Sequence, residues 1–140
     1  MALANGNNGC SCSEAIMTAF SKGYGLDRGM AMRLASGFWG GMGLMGETCG
    51  AITAAFMIIG LKFGTDDITD SYSRQNTYLM VAEFAERFEK MKGSIRCREL
   101  CVGHSMATPK AAKALRESGK PREMILAAAE LLGEMLLPQT

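Results

Sequence analysis

The sequence predicts an all-α fold, a compact bundle of roughly five to seven helices with a glycine-rich loop before a buried central helix. Three observations point there. Apolar residues recur at three- and four-residue spacing, and no segment alternates convincingly between apolar and polar. There are 3 prolines, and two of them sit where helices begin. Helix caps and glycine stops punctuate the chain. At 140 residues it reads as a single domain, positions 1–140, and 48% hydrophobic residues are enough for a core.

Ser11-Cys12-Ser13-Glu14 fits a capping box, with Ser11 as N-cap and Glu14 reaching back. A helix is expected from Cys12 to Lys22, with Gly23 and Gly25 ending it. Asp27 caps a second helix that carries Met30, Leu34 and Ala35. The stretch from Gly37 to Gly46 is half glycine, and each interior glycine costs a helix about 1 kcal/mol. It is expected to be a tight loop with positive φ angles. A third helix from Glu47 or Thr48 to Lys62 is apolar almost all round, which places it at the centre.

Asp66, Asp67 and Asp70 lack calcium-loop spacing and read as caps. A long fourth helix runs from Ser71 to Met91, with Val81, Phe84, Ala85 and Phe88 on one face. Gly93 stops it, and Ser94 caps a short helix holding Arg96 to Cys101. Thr108-Pro109 opens a sixth helix, and Pro121 a seventh that ends near Leu137.

Charge and cysteine usage bound the function. Lys plus Arg is 15 and Asp plus Glu is 14, a net charge of +1. That balance argues against nucleic acid or an anionic membrane surface as partner. The longest apolar stretch, Ala51 to Leu61, is far short of the ~20 residues of a spanning helix. The opening residues show neither a basic n-region nor an apolar h-region, so a cytoplasmic location is expected. The 5 cysteines are an odd number and too few for a disulfide scaffold. In a reducing compartment such cysteines point to a reactive thiol or a metal site.

Three of them share one kind of position. Cys12 follows the Ser11 cap, Cys49 falls in the first turn of the central helix, and Cys97 lies three residues past Ser94 in the first turn of the short helix. The partial positive charge and unpaired amides of a helix start favour a thiolate, the nucleophile and the metal ligand. Cys12, Cys49 and Cys97 are therefore the candidate catalytic residues. Cys101 lies four residues after Cys97 on the same helix face. Cys10 reads as a spare.

Several weaker signals stand beside these. Gly41-Met42-Gly43-Leu44-Met45-Gly46 spells G-x-G-x-x-G, but no strand precedes it, so dinucleotide binding is not expected. Gly41, Gly43, Gly46 and Glu47 are instead candidates for a ligand-binding wall, and the glycines allow close backbone approach to Cys49. Glu47 could equally cap the central helix. Met42 and Met45 are the methionines placed to face a ligand, the others being core or interface filler. His104, the single histidine, reads as a solvated loop residue, with ligand or general base as its alternative.

The block Gly40-Gly41-Met42-Gly43 followed by Gly46-Glu47-Thr48-Cys49-Gly50-Ala51 resembles the signature of the C-GCAxxG-C-C family of redox-active proteins. Ser11-Cys12-Ser13-Glu14-Ala15-Ile16 is similar to its first cysteine segment, and Gly93 to Leu100 to its third. The resemblance spans about residues 8 to 103. It departs at Ala54, where the family has glycine, and near Pro121, where the family's fourth cysteine is missing. The resemblance thus carries over Cys12, Cys49 and Cys97, with Cys101 as the candidate stand-in for the fourth.

Three readings follow. The first is thiol–disulfide exchange, with Cys49 as thiolate and Cys97 or Cys12 as its resolving partner. The second is a [2Fe–2S] cluster or zinc held by Cys12, Cys49, Cys97 and Cys101. The resemblance adds weight to it, because an iron–sulfur cluster has been proposed for a similar domain in split-Soret cytochromes. The third is a non-enzymatic accessory module, burying its apolar surfaces in a homodimer or a transporter-associated complex. The partners expected are accordingly a redox partner protein, a transporter-associated protein or a second copy of the chain.

Overall fold

The computed structural model describes residues 11–101 and 108–137, which leaves Cys10 and His104 outside the described residues. It is all-α. Seven α-helices occur among the described residues: α1 (Cys12–Phe20), α2 (Arg28–Ala35), α3 (Gly50–Phe63), α4 (Ser71–Lys92), α5 (Cys97–Leu100), α6 (Pro109–Glu117) and α7 (Lys120–Leu136). None of them is long and apolar enough to cross a membrane.

The expected caps are in place. Ser11 and Glu14 form the full capping box of α1, and Asp27, Asp70 and Thr108 accept amide hydrogen bonds at the starts of α2, α4 and α6. Gly93 ends α4 at φ 87°. Two boundaries differ from the sequence reading. α1 stops at Phe20, and its chain tightens into a 3-10 turn, Ser21–Tyr24, closed by Gly25 at φ 80°. The short helix is capped by Arg96 rather than Ser94. The Ser94 hydroxyl accepts from the Arg96 amide at 3.0 Å and donates to the Glu99 carboxylate.

A third difference shapes the site. α3 begins at Gly50, not at Glu47 or Thr48. The preceding residues run extended beside Ile95 to Arg98, with Thr48 and Arg96 forming an isolated antiparallel bridge. The Cys49 amide donates to the Ile95 carbonyl at 2.8 Å, and the Cys97 amide donates to the Glu47 carbonyl at 2.6 Å. The Arg98 amide donates to the Gly46 carbonyl at 3.1 Å. Carbonyls that a longer α3 would need are therefore already taken.

α3 is the centre of the fold and packs against α1, α4 and α7. Its residues from Gly50 to Ala55, with Ile58 and Ile59, are buried. Ile16 and Met17 of α1 and Ile125 and Leu132 of α7 close over them. Burying each such large side chain contributes roughly 1.5–3 kcal/mol. In α4 only Phe84 and Phe88 are buried, one turn apart. Phe84 meets Phe56 edge-on at 6.1 Å and stacks near Phe88 at 6.2 Å. These two rings anchor the helix. The exposed Arg87–Glu134 ion pair at 2.6 Å adds at most about 1 kcal/mol.

Candidate functional site

The glycine-rich loop adopts the positive φ angles that its composition predicts. Gly40, Gly41, Gly43 and Gly46 lie between 57° and 72°, and so do Met42 at 65° and Leu44 at 69°. At Gly41 the absence of a side chain is decisive. A Cβ there would lie 2.7 Å from the Cys97 Cβ and 2.7 Å from the Glu47 amide nitrogen. The loop thus presses on the bridge that carries Cys49 and Cys97. Gly50 does the same on the other side, where a Cβ would lie 3.1 Å from both the Ser13 nitrogen and the Phe38 carbonyl. This approach seats the start of α3 on the start of α1, and Ser13, buried there, donates to the Ala35 carbonyl at 3.0 Å.

These contacts bring four cysteines to one cavity of about 330 Å³. Cys12 is the first residue of α1, Cys49 the N-cap of α3, Cys97 the first residue of α5 and Cys101 its C-cap. All four are free thiols, and Cys49 and Cys101 are buried. They stand as two pairs. Cys12 acts most strongly on Cys49, and Cys101 on Cys97. The Cys12 thiol also lies 3.9 Å from the Pro121 carbonyl.

Each pair holds one sulfur toward thiolate and the other toward thiol. The Cys101 thiol, donating to Cys97, brings Cys97 down to about 7 against the opposing effect of burial. Cys101 is pushed up in turn, by Cys97 first and by burial second. Cys49 is lowered chiefly by the Cys12 thiol, and the Ala51 and Ile52 amides at the start of α3 favour its thiolate further. Those amides lie close to the sulfur without completing a capping hydrogen bond. Cys12 is raised, by its bond to Cys49, by burial and by the charge of the other sulfurs.

This corrects the expectation that one helix-start effect lowers Cys12, Cys49 and Cys97 alike. Only Cys49 gains from helix amides. Cys12 moves upward despite its helix-start position, and Cys97 opens a helix of only four residues and depends on Cys101 instead. The partner of Cys49 is Cys12, while Cys97 is engaged with Cys101.

The expected ligand wall is brought together only in part. Gly41 lines the cavity, but Gly43, Gly46 and Glu47 do not. Gly46 borders a second pocket of about 170 Å³ that shares Gly40, Cys97 and Cys101 with the first, and Met45 faces that pocket too. Glu47 neither caps α3 nor faces the thiols. Its carboxylate pairs with Arg96 at 3.2 Å and with Arg98. The walls include residues that no motif announced: Trp39 from the loop, Leu115 and Arg116 from α6, Pro121 and Met124 from α7. The Thr108-Pro109 and Pro121 helix starts locate α6 and α7, but not the face each turns to the sulfurs.

Among the described residues no three His, Cys, Asp or Glu side chains are grouped so as to hold one metal ion. A single zinc ion, which takes four ligands around one centre, finds no such set among the described residues. No curated protein and no solved structure matches the chain. The family model C_GCAxxG_C_C, described as "Putative redox-active protein", matches residues 10–135, and the chain belongs to that family.

Proposed function

We propose that the protein is a dithiol–disulfide exchange protein in which Cys97 is the attacking sulfur and Cys101 resolves. The observation that carries this reading is the shared cavity: four free thiols line it as two interacting pairs, each with one member favoured as thiolate. Cys97 is only half-buried, so a substrate disulfide can reach it, whereas Cys49 is 4% exposed.

In the first step the Cys97 thiolate bonds to one sulfur of the substrate disulfide. The substrate S–S bond breaks and the departing half leaves as a thiolate. The hydrogen bond that raised Cys101 is now lost, so its proton leaves more readily. Cys101 then attacks the Cys97 sulfur and expels the second half. The substrate gains two electrons, and a Cys97–Cys101 disulfide remains. Cys49 can attack that disulfide at Cys97, releasing Cys101, and Cys12 then attacks Cys49 and frees Cys97. The net result moves the oxidation to the inner Cys12–Cys49 pair. Cys101 thereby supplies the fourth sulfur, and it shares the cavity with Pro121, near which the family pattern has its own. An external dithiol returns the protein to its reduced form.

The test is a redox titration with mass-spectrometric mapping of the thiols. Two reversible two-electron couples between about −300 and −150 mV are expected, with Cys97–Cys101 and Cys12–Cys49 bridges. A protein that forms no intramolecular disulfide in that range would sink the reading.

A second reading draws on the same pairing. Four thiolates, with one pair for each iron, are the donor set of a [2Fe–2S] cluster, and Cys12, Cys49, Cys97 and Cys101 would hold it. Bound there, it would supply one-electron transfer. Anaerobic purification decides between the two readings: a brown protein with stoichiometric iron and sulfide supports the cluster, and a colourless reduced protein with four titratable cavity thiols supports exchange.

A further inference from the structure

The charges around the cavity are unevenly compensated. Of the acids near it, Glu14 lines the wall, but its carboxylate accepts from the Ser11 amide at 3.0 Å as part of the capping box. Glu47 is paired with Arg96 and Arg98, Glu99 lies 3.9 Å from Arg96, and Glu117 lies 3.8 Å from Lys113. Glu123 does not line the cavity, although Met124 beside it does.

The cations on the α6–α7 side are different. Arg116 sits in the last turn of α6 and lines the cavity. Lys120 opens α7 just across the Gly119 turn, and its charge favours the Cys101 thiolate. Neither makes an ion pair among the described residues. Positions 1–10, 102–107 and 138–140 carry no Asp or Glu. Trp39, Leu115, Pro121 and Met124 give the walls an apolar part, and Ser11 and Ser36 add hydroxyls. A volume of about 330 Å³ lies at the small end of ligand sites, the size of a small molecule.

We propose that the cavity takes one half of a small carboxylate-bearing disulfide, with Arg116 as the residue that holds its carboxylate while Cys97 attacks its sulfur. The inference rests on the exchange reading and adds the substrate class. The bound half stays attached to Cys97 after the first step, its apolar body against Trp39 and Met124. Cys101 then bonds to Cys97, the mixed S–S bond breaks, and the half leaves as an anionic thiol. The two electrons come from Cys97 and Cys101, and the protons go to the released thiolates. Lys120, whose charge acts on Cys101, adds to the attraction without being required for it.

The experiment uses the reduced full-length protein and three probes: dithiobis-nitrobenzoate, a dianion; hydroxyethyl disulfide, neutral; and cystamine, a dication. Each oxidation rate is divided by the rate of the same probe with dithiothreitol, which removes intrinsic reactivity. The wild type is expected to favour the anion over the dication by about tenfold or more, less so as salt is raised. R116E should lower that ratio by about tenfold or more, and R116Q should fall between. Equal normalised rates for the three probes would overturn the anion site while leaving the exchange reading intact. A uniform change for all probes in R116E would overturn it as well, because Arg116 would then act on the fold rather than on the substrate. Oxidation by none of the three would refute the exchange reading itself, and this inference with it.

Discussion

Removing the Cys101 sulfur tests the origin of the Cys97 reactivity. In C101A the hydrogen bond that brings Cys97 to about 7 is gone, and burial, the opposing effect, remains. Cys97 then returns at least to the ordinary thiol value of 9.0. At pH 7 its thiolate fraction falls from about one half to about one hundredth, roughly 50-fold. Nucleophilicity moves the other way. With a Brønsted slope of about 0.45, a thiolate of the higher value is about 8-fold more reactive. The net effect is a reaction about 6-fold slower at pH 7 and about 7-fold faster at pH 10. The two pH–rate curves for Cys97 alkylation by iodoacetamide, followed by peptide mapping, should therefore cross between these limits. Parallel curves would refute the assignment of Cys101 as the group that activates Cys97. A C101A curve lower at every pH would do the same.

Three further predictions concern the scaffold. G41A and G43A both place alanine at positive φ, φ 72° and φ 57°, at about 1–2 kcal/mol each, but only Gly41 is pressed against backbone. G41A should therefore cost at least about 1 kcal/mol more than G43A in urea melts and slow Cys97 alkylation; equal melts would refute the close approach. Stability of the reduced protein should rise with pH from about 7 toward 9, because Cys97 and Cys49 are lowered on folding and lose their protons first in the native state. Above the ordinary thiol value it should fall again, since Cys12 and Cys101 are raised and the unfolded chain then loses protons that the native state keeps; a monotonic profile in denaturant melts would count against both pairings. F84A should cost about 3–5 kcal/mol by the same melts and leave the pH dependence of Cys97 alkylation unchanged, because the ring packs against Phe56 and Phe88 and does not line the thiol cavity.

The helical fold was legible because its signals are local. A capping box at Ser11 or a glycine stop at Gly93 is decided within four residues, and the helices begin and end close to where such signals lie. The i,i+4 spacing of Cys97 and Cys101 likewise placed both on one face. What could not be read were facts about which segment meets which. The Thr48–Arg96 bridge joins single residues, so no alternation marks it, yet it moves the start of α3 to Gly50 and Cys49 to its N-cap. Proton sharing depends on which sulfur touches which, so one helix-start argument covered three cysteines that behave in three ways. Arg116 belongs to no motif. Its place on the cavity wall follows from the turn at Gly119, which brings the end of α6 and the start of α7 to the cavity.

Each sulfur pair leans on its own glycine, and this separates their responses. Gly41 bears on Cys97, whereas Gly50 bears on Ser13, next to Cys12. A Cβ at Gly50 would meet the Ser13 nitrogen and the Phe38 carbonyl at 3.1 Å and the Ser13 Cβ at 3.2 Å, tight contacts with atoms that have little room to move. Gly50 does not have a positive φ, so the cost of G50A is steric alone. The start of α1 must retreat by a few tenths of an ångström, which lengthens the contact between Cys12 and Cys49. Cys49 loses its leading source of thiolate stabilisation and keeps only the Ala51 and Ile52 amides, so it moves up and Cys12 moves down. Cys97, held by Cys101 within one short helix, has no reason to follow. Residue-resolved alkylation across pH should show Cys49 shifted upward in G50A and Cys97 unmoved. If Cys97 shifts as far as Cys49, the four sulfurs respond as one unit, and the division into an outer and an inner pair must be given up.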